Sequence, residues 1–296
     1  MNSEMSYLLG MICGNGEVQR NFSNTIISIS IPYKKLETED FHDVKLYVKA
    51  SISDIRIIIE PLIGSDLSFI QNKNSTILSF IKPNTDYLIR EIFRYIGSAV
   101  SHNDITIHPD IFNFSKDEKK QFLKGFADVT GYIRRSNYFF EKHKHRVYLE
   151  IPHNWQLVID ICNLLKSIDI PVQTIDWAHP NMRDGRLTKY NQGNHNFWKK
   201  EHQIKIWANE FLVVGFGILH KQQALDTYSN ELITGFTSIG KDVASQTHKY
   251  YWNSKKNNTN VKPYHPCEND NFIPKHIRGK HFNSWKEIAK DLGYGE

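Results

Sequence analysis

"FLKGFADVTGYIRRS", residues 122–136, decides how this chain is read. An apolar run carries Gly125 in its middle, ends on Asp128, Val129, Thr130 and Gly131, and leaves with adjacent arginines, Arg134 and Arg135. A twin lies near the start of the chain: "YLLGMICGNGEVQR", residues 7–20. In both, an aromatic residue, a leucine and one further residue precede a glycine, Gly10 or Gly125. In both, a second glycine follows six residues later, Gly16 or Gly131. Each stretch reads as a helix that its second glycine ends in the manner of a C-cap.

The likeness continues downstream. "TIISISIPYK" follows the first copy and "HRVYLEIPHN" the second. Ile27, Ile29 and Ile31 alternate with serines, and Val147, Leu149 and Ile151 alternate with Tyr148 and Glu150. A period of two marks a strand with one buried face. Helices are expected over roughly 43–60 and 154–168, further strands over 75–81 and 202–208, and closing helices over roughly 84–97 and 208–226. Each unit therefore reads helix–strand–strand–helix–strand–strand–helix. The stretch 108–121 joins them, with Ser115 or Asp117 placed to cap the second motif helix.

"LLGMICGNG" and "LKGFADVTG" resemble the two copies of the LAGLIDADG motif, and the order of elements over residues 6–228 resembles the single-chain, two-repeat LAGLIDADG homing endonucleases. The resemblance implies an α/β (α+β) fold of two pseudo-symmetric repeats, 1–112 and 113–228. Their sheets would form a curved saddle on double-stranded DNA, backed by helices, with 229–296 a docking or DNA-tracking arm. It also implies a monomer with internal pseudo-twofold symmetry and a sequence-specific endonuclease of homing or restriction type. Such an enzyme uses Mg2+ or another divalent cation, held by the last acid of each motif.

The chain departs from that pattern at the catalytic positions. Asn15 and Thr130 stand where the last acids belong, and the preceding acid position holds Cys13 and Asp128. One expectation is an asymmetrically rebuilt site, with Asp128 and Glu17 as metal ligands, Asn15 assisting, and Lys205 or Lys82 stabilising charge. The plain alternatives are a hydrogen-bonding role for Asp128 at the helix junction and a surface position for Glu17. The competing function is a non-catalytic, DNA-binding transcription regulator on the same fold; a protein-interaction module is a third class.

DNA contacts are expected from the ribbon that leaves the second motif. It carries Arg134, Arg135, Lys142, Lys144 and Arg146 against one acid, Glu141. Arg20 stands in the equivalent arm of the first unit, and Arg183 and Arg186 in the long polar stretch 179–200. Such residues neutralise phosphates and address base edges.

Composition agrees with a soluble protein: 296 residues, 40% hydrophobic, 23% charged, net charge +5. The three cysteines, Cys13, Cys162 and Cys267, are odd in number and far apart, which suits a reducing compartment. No run approaches the roughly 18 apolar residues of a membrane helix, so a cytoplasmic, nucleoid-associated protein is expected. No P-loop, G-x-S-x-G or H-E-x-x-H pattern occurs. The tail 264–282 gathers His265, Cys267, His276 and His281, a possible zinc set of no recognised spacing, and Ser284 starts a short expected helix over 284–291.

Overall fold

A computed structural model describes residues 2–39, 43–140, 143–152, 154–172, 174–176, 202–231 and 249–251, without the side chains of 136–144, 155, 174–176 and 249–251. The expectations on Lys142, Arg183, Arg186, the 264–282 cluster and the 284–291 helix lie outside the described residues, as does the side chain of Lys144.

The first motif is helix α1 (Ser3–Asn15), running directly into β1 (Gly16–Arg20) and β2 (Asn24–Pro32). Helix α2 (Val44–Ile63), β3 (Ser68–Gln71), β4 (Ser75–Pro83) and α3 (Tyr87–Ile96) complete the first half. A short helix α4 (Pro109–Phe112) leads to the second motif helix, α5 (Lys116–Thr130). Ser115 starts α5 with a capping box closed by Glu118. Strands β5 (Gly131–Phe140) and β6 (His143–Ile151), helix α6 (Trp155–Lys166), β7 (Thr174–Asp176) and β8 (His202–Trp207) follow. Helices α7 (Ala208–Phe211) and α8 (Leu219–Asn230) and strand β9 (Lys249–Tyr251) are the last described elements.

The result is a mixed α/β architecture with two antiparallel sheets. Their orders are β1-β2-β4-β3 and β5-β6-β8-β7-β9. The first four strands of the second sheet repeat the order of the first. Register repeats too: Gly16 lies opposite Ile29, and Gly131 opposite Leu149. β9 is added to the second sheet alone, on β7.

The two motif helices form the centre, with Tyr7, Leu8, Leu9, Phe122, Leu123 and Phe126 fully buried. A Cβ on Gly10 would sit 1.9 Å from the Phe122 carbonyl oxygen, and a Cβ on Gly125 would sit 2.0 Å from that of Tyr7. Tyr7 precedes Gly10 by the same three residues that separate Phe122 from Gly125, so the contact is reciprocal. Only glycine permits it. The strands bury their alternate residues, Ile27, Ile29 and Ile31 in one sheet and Val147, Leu149 and Ile151 in the other, against these helices.

The second glycine of each motif caps its helix as expected, its N–H donating to the Ile12 or Ala127 carbonyl, but in extended backbone: Gly16 and Gly131 have φ of −85° and −102°. They are glycines for space, since a Cβ would lie 2.5 Å from the Ile12 carbonyl oxygen and 2.7 Å from that of Ala127. The closing helix expected over 208–226 is broken between α7 and α8, where Gly215 takes a left-handed φ of +70°. Among the described residues, no helix is long and apolar enough to cross a membrane.

Candidate functional site

The ends of the motif helices are where the resemblance places chemistry. Asn15 closes α1, and its amide donates to two carbonyls, Ser30 on β2 and Val129 on α5, each at 3.1 Å. Thr130 closes α5 and is buried; its hydroxyl donates back to the Phe126 carbonyl at 2.7 Å. Both side chains offer donors to main-chain oxygen, where a metal site needs anionic acceptors.

Asp128 is fully buried, and its carboxylate is already surrounded. The Tyr7 hydroxyl donates to it at 2.6 Å, and the backbone N–H groups of Gly217 and Ile218 donate at 2.8 and 3.5 Å. Those N–H groups belong to the start of α8, whose own N-cap residue, Ile218, supplies no side-chain cap. Asp128 therefore caps α8 through space, at the positive end of its dipole.

Lys221, in the first turn of α8, returns the favour. It is fully buried, and its ammonium donates to the carbonyls of Ala127, Asp128 and Gly131 at 3.1, 3.3 and 2.9 Å. Three donors meet three oxygens at a helix end whose last carbonyls lack intrahelical partners. The Asp128 carboxylate lies 3.9 Å away. Burial pushes the Lys221 pKa down to about 7, against the pull of Asp128. Burial likewise raises the Asp128 pKa, against Lys221 and its hydrogen bonds. Asp128 thus takes the hydrogen-bonding, capping place at the helix junction that was the plain alternative to a metal ligand, its carboxylate engaged by internal donors.

Glu17 follows the first helix end on β1 and is exposed, pointing out from the sheet opposite Ser28. Lys205 lies on β8 opposite Tyr148, 6% exposed, with its ammonium 5.5 Å from that ring's centroid. Lys82 pairs with Asp66 at 2.6 Å. Among the described residues, no three His, Cys, Asp or Glu side chains cluster as a metal site requires. The residues present at the helix ends do not fit a divalent ion.

The unexpected acid is Glu150, the second unit's counterpart of Ser30. It is buried and pairs with Lys35, which enters from just past β2 in the first half. Tyr132 donates to it at 2.8 Å and Gln203 at 2.6 Å. This link between the halves was not legible, because Glu150 fits the alternation as one more outward strand residue.

The outward faces of the two sheets differ. On the second, Tyr132 and Tyr148 stack at 5.2 Å, with the exposed Arg134 guanidinium 5.1 and 4.9 Å from their centroids. Arg146 is 5% exposed, its guanidinium 4.2 Å from the Trp207 ring centroid. Arg146, expected as a DNA contact, and Lys205, expected as a catalytic cation, are thus both enclosed, at 5% and 6% exposed. Arg135 is exposed, and its backbone N–H donates to Glu39. Arg20, on the helix side of β1, lays its guanidinium 5.2 Å from the Phe93 ring centroid. On the first sheet the outward residues of β2 and β4 are small or apolar, half-buried at Ile26, Ser28, Ser30, Ile77 and Ser79 and exposed at Ile81.

No protein-family model matches the chain, and no curated protein sequence matches it. Among solved structures it is similar to I-DmoI in complex with DNA and calcium, at 12% identity and a TM-score of 0.38, over 71% of this chain and 85% of that one. It is similar to the homing endonuclease I-WcaI bound to its DNA recognition sequence, at 12% identity and a TM-score of 0.39, over 81% and 87%. It is also similar to full-length DUF199/WhiA from Thermatoga maritima, at 14% identity and a TM-score of 0.40, over 79% and 62%.

Proposed function

We propose that the chain recognises duplex DNA as a monomer with two LAGLIDADG-type halves, 1–112 and 113–228, and that its helix ends serve folding instead of cleavage. The extension 229–296 docks through β9 on the second sheet. The observation that carries the reading is the pair of like-ordered sheets released from two helices in main-chain contact. It supports a two-lobed surface whose halves differ in side chains, suited to an asymmetric or loosely palindromic site. Arg134 and Arg135, both exposed on the β5–β6 hairpin, supply phosphate contacts. The nucleoid is the compartment this reading implies.

The donors at the helix ends support the reading without cleavage. Asn15, Thr130 and Lys221 are spent on carbonyls, and Asp128 on α8. A second reading, a divalent-metal-dependent endonuclease, is favoured by Glu17 alone, an exposed carboxylate two residues past the end of α1. A randomised duplex library, incubated with and without magnesium or manganese, separates the two. Selective retention, with affinity falling steeply with salt and no new DNA ends, is the expected result. Site-specific ends that need the metal and vanish in Glu17→Ala would establish the nuclease. No selective retention in either condition would refute DNA recognition itself.

A further inference from the structure

The tip between β1 and β2 holds a bare aromatic ring in water. Phe22 is 104% exposed. Loop tips are ordinarily the least held parts of a fold, and this one is pinned from two sides. The Asn21 side chain accepts from the backbone N–H groups of Ser23 and Asn24 at 3.1 and 2.7 Å. Asn84, just past β4, donates its side-chain amide to the carbonyls of Asn21 and Phe22 at 3.0 and 3.2 Å. Its backbone N–H donates to the Ser23 carbonyl at 2.8 Å. The buried Thr25 hydroxyl fixes that amide by donating to its oxygen at 2.7 Å. All three tip carbonyls are bound, so the backbone under the ring is held while the ring stays uncovered.

Among the described side chains, every other Phe, Tyr and Trp is buried or half-buried except Tyr87, 76% exposed. Tyr87 opens α3 three residues past Asn84, at the same end of the first half. Two cations without a carboxylate partner stand there. Arg20, two residues before Phe22, lays its guanidinium over Phe93 of α3, and the exposed Arg90 lies one helical turn from Phe93. The stretch 18–25 holds no acid. Asp86 is spent on capping α3, Asp66 on Lys82, and Glu91, the one acid of α3, is half-buried. The second half repeats the composition: Tyr138, Phe139 and Phe140 end β5, Phe140 is paired with His143, and Lys144 follows. Exposed rings beside cations are complementary to a polyanion with flat apolar faces, which describes a nucleic acid.

Resting on the duplex-DNA reading above, we infer that Phe22 is a wedge that enters the base stack at one flank of the recognised site. A ring inserted at a base step unstacks it, and contact between ring and base repays part of that cost. A loose tip would lose the gain to ordering entropy, a loss the Asn84 clamp avoids. Phe22 stands six residues past Gly16, the end of α1. That is at most about 20 Å of strand, so the wedge falls within roughly six base pairs of the centre. It selects by softness, favouring steps that unstack readily.

The test uses the full chain and the duplex it selects, with a single mismatch moved along the duplex one position at a time. A mismatch opens its step in advance. At one flank position within about six base pairs of the centre, it is expected to tighten binding by the wild type and not by Phe22→Ala. On that mismatched duplex Phe22→Ala is expected to bind roughly 5- to 140-fold more weakly than the wild type, from about 1–3 kcal/mol per stacked base at about 1.4 kcal/mol per tenfold. Phe22→Trp, which keeps a flat ring, restores the preference. Thermal unfolding is unchanged in Phe22→Ala, because the ring is fully exposed. Equal affinities of wild type and Phe22→Ala on every duplex, or a loss of thermal stability in place of affinity, overturns the inference while DNA recognition stands. A library with no selected duplex overturns both.

Discussion

Replacing Lys221 with methionine removes one ammonium from a place no water reaches. Methionine has about the same length and fills the space, so packing changes little. Three carbonyls at the end of α5 lose their donor, and Asp128 loses its neighbouring cation. Removing one partner of a buried charged pair costs about 3–5 kcal/mol. At about 2–4 °C per kcal/mol for a chain of this class, thermal unfolding should drop by roughly 6–20 °C. The pH dependence is a second readout. With the folded pKa near 7 and the unfolded value at 10.5, the unfolded chain binds more protons between those limits. Stability from this residue therefore rises with pH across that window, by about 2 kcal/mol from pH 7 to 9. Below pH 7 the cost of burying the ammonium is constant. Asp128 is shifted upward, so its contribution falls as pH rises, and an Asp128→Asn background removes it from the comparison. The rise between pH 7 and 9 should be absent in Lys221→Met. A loss under about 1 kcal/mol, or an unchanged pH slope, would refute the reciprocal capping of α5 and α8.

Gly10→Ala should destabilise by at least about 3 kcal/mol, because its Cβ meets a backbone oxygen at 1.9 Å and the helices must part. Gly14→Ala should cost less, since its nearest obstacles are the Val129 and Thr130 methyl groups; equal losses in thermal unfolding would argue against a main-chain contact. Asn15→Asp, which recreates the motif's acid, should lose about 2–4 kcal/mol by turning two donated bonds into repulsion against carbonyls. Magnesium should not restore it, and a magnesium-dependent rise in unfolding temperature would revive the metal site. Lys35→Met should cost about 3–5 kcal/mol by leaving Glu150 buried without this partner, and Glu150→Gln in the same background should recover part of the loss in denaturant unfolding.

The alternation through Ile27, Ile29 and Ile31, the twin glycines and the Ser115 cap were legible because each is a local pattern with a local cause. A capping or hydrogen-bonding role for Asp128 at the helix junction was legible as one of two alternatives, and its partners were not. The groups that decide that role, Tyr7 and the Gly217 and Ile218 amides, lie 121, 89 and 90 residues away along the chain. Lys221 was hidden for a related reason. A continuous helix over 208–226 would place it on an ordinary helical face, and only the turn at Gly215 brings the first turn of α8 under α5. Arg146 and Lys205 followed the outward alternation of their strands, which cannot report that this face is enclosed in the second sheet and open in the first.

The reciprocal glycine contact has a mechanical consequence. Two helices that meet backbone to backbone have no side chains between them to re-pack, so the angle between the sheets they carry is stiff. Under the proposed DNA reading, a duplex laid across both sheets would then do the yielding. Its elastic cost depends on how readily the base steps above the helix ends kink or compress. On that reading the chain should prefer flexible pyrimidine–purine steps at the centre of its site, above Asn15 and Thr130, whose amide and hydroxyl donate to carbonyls.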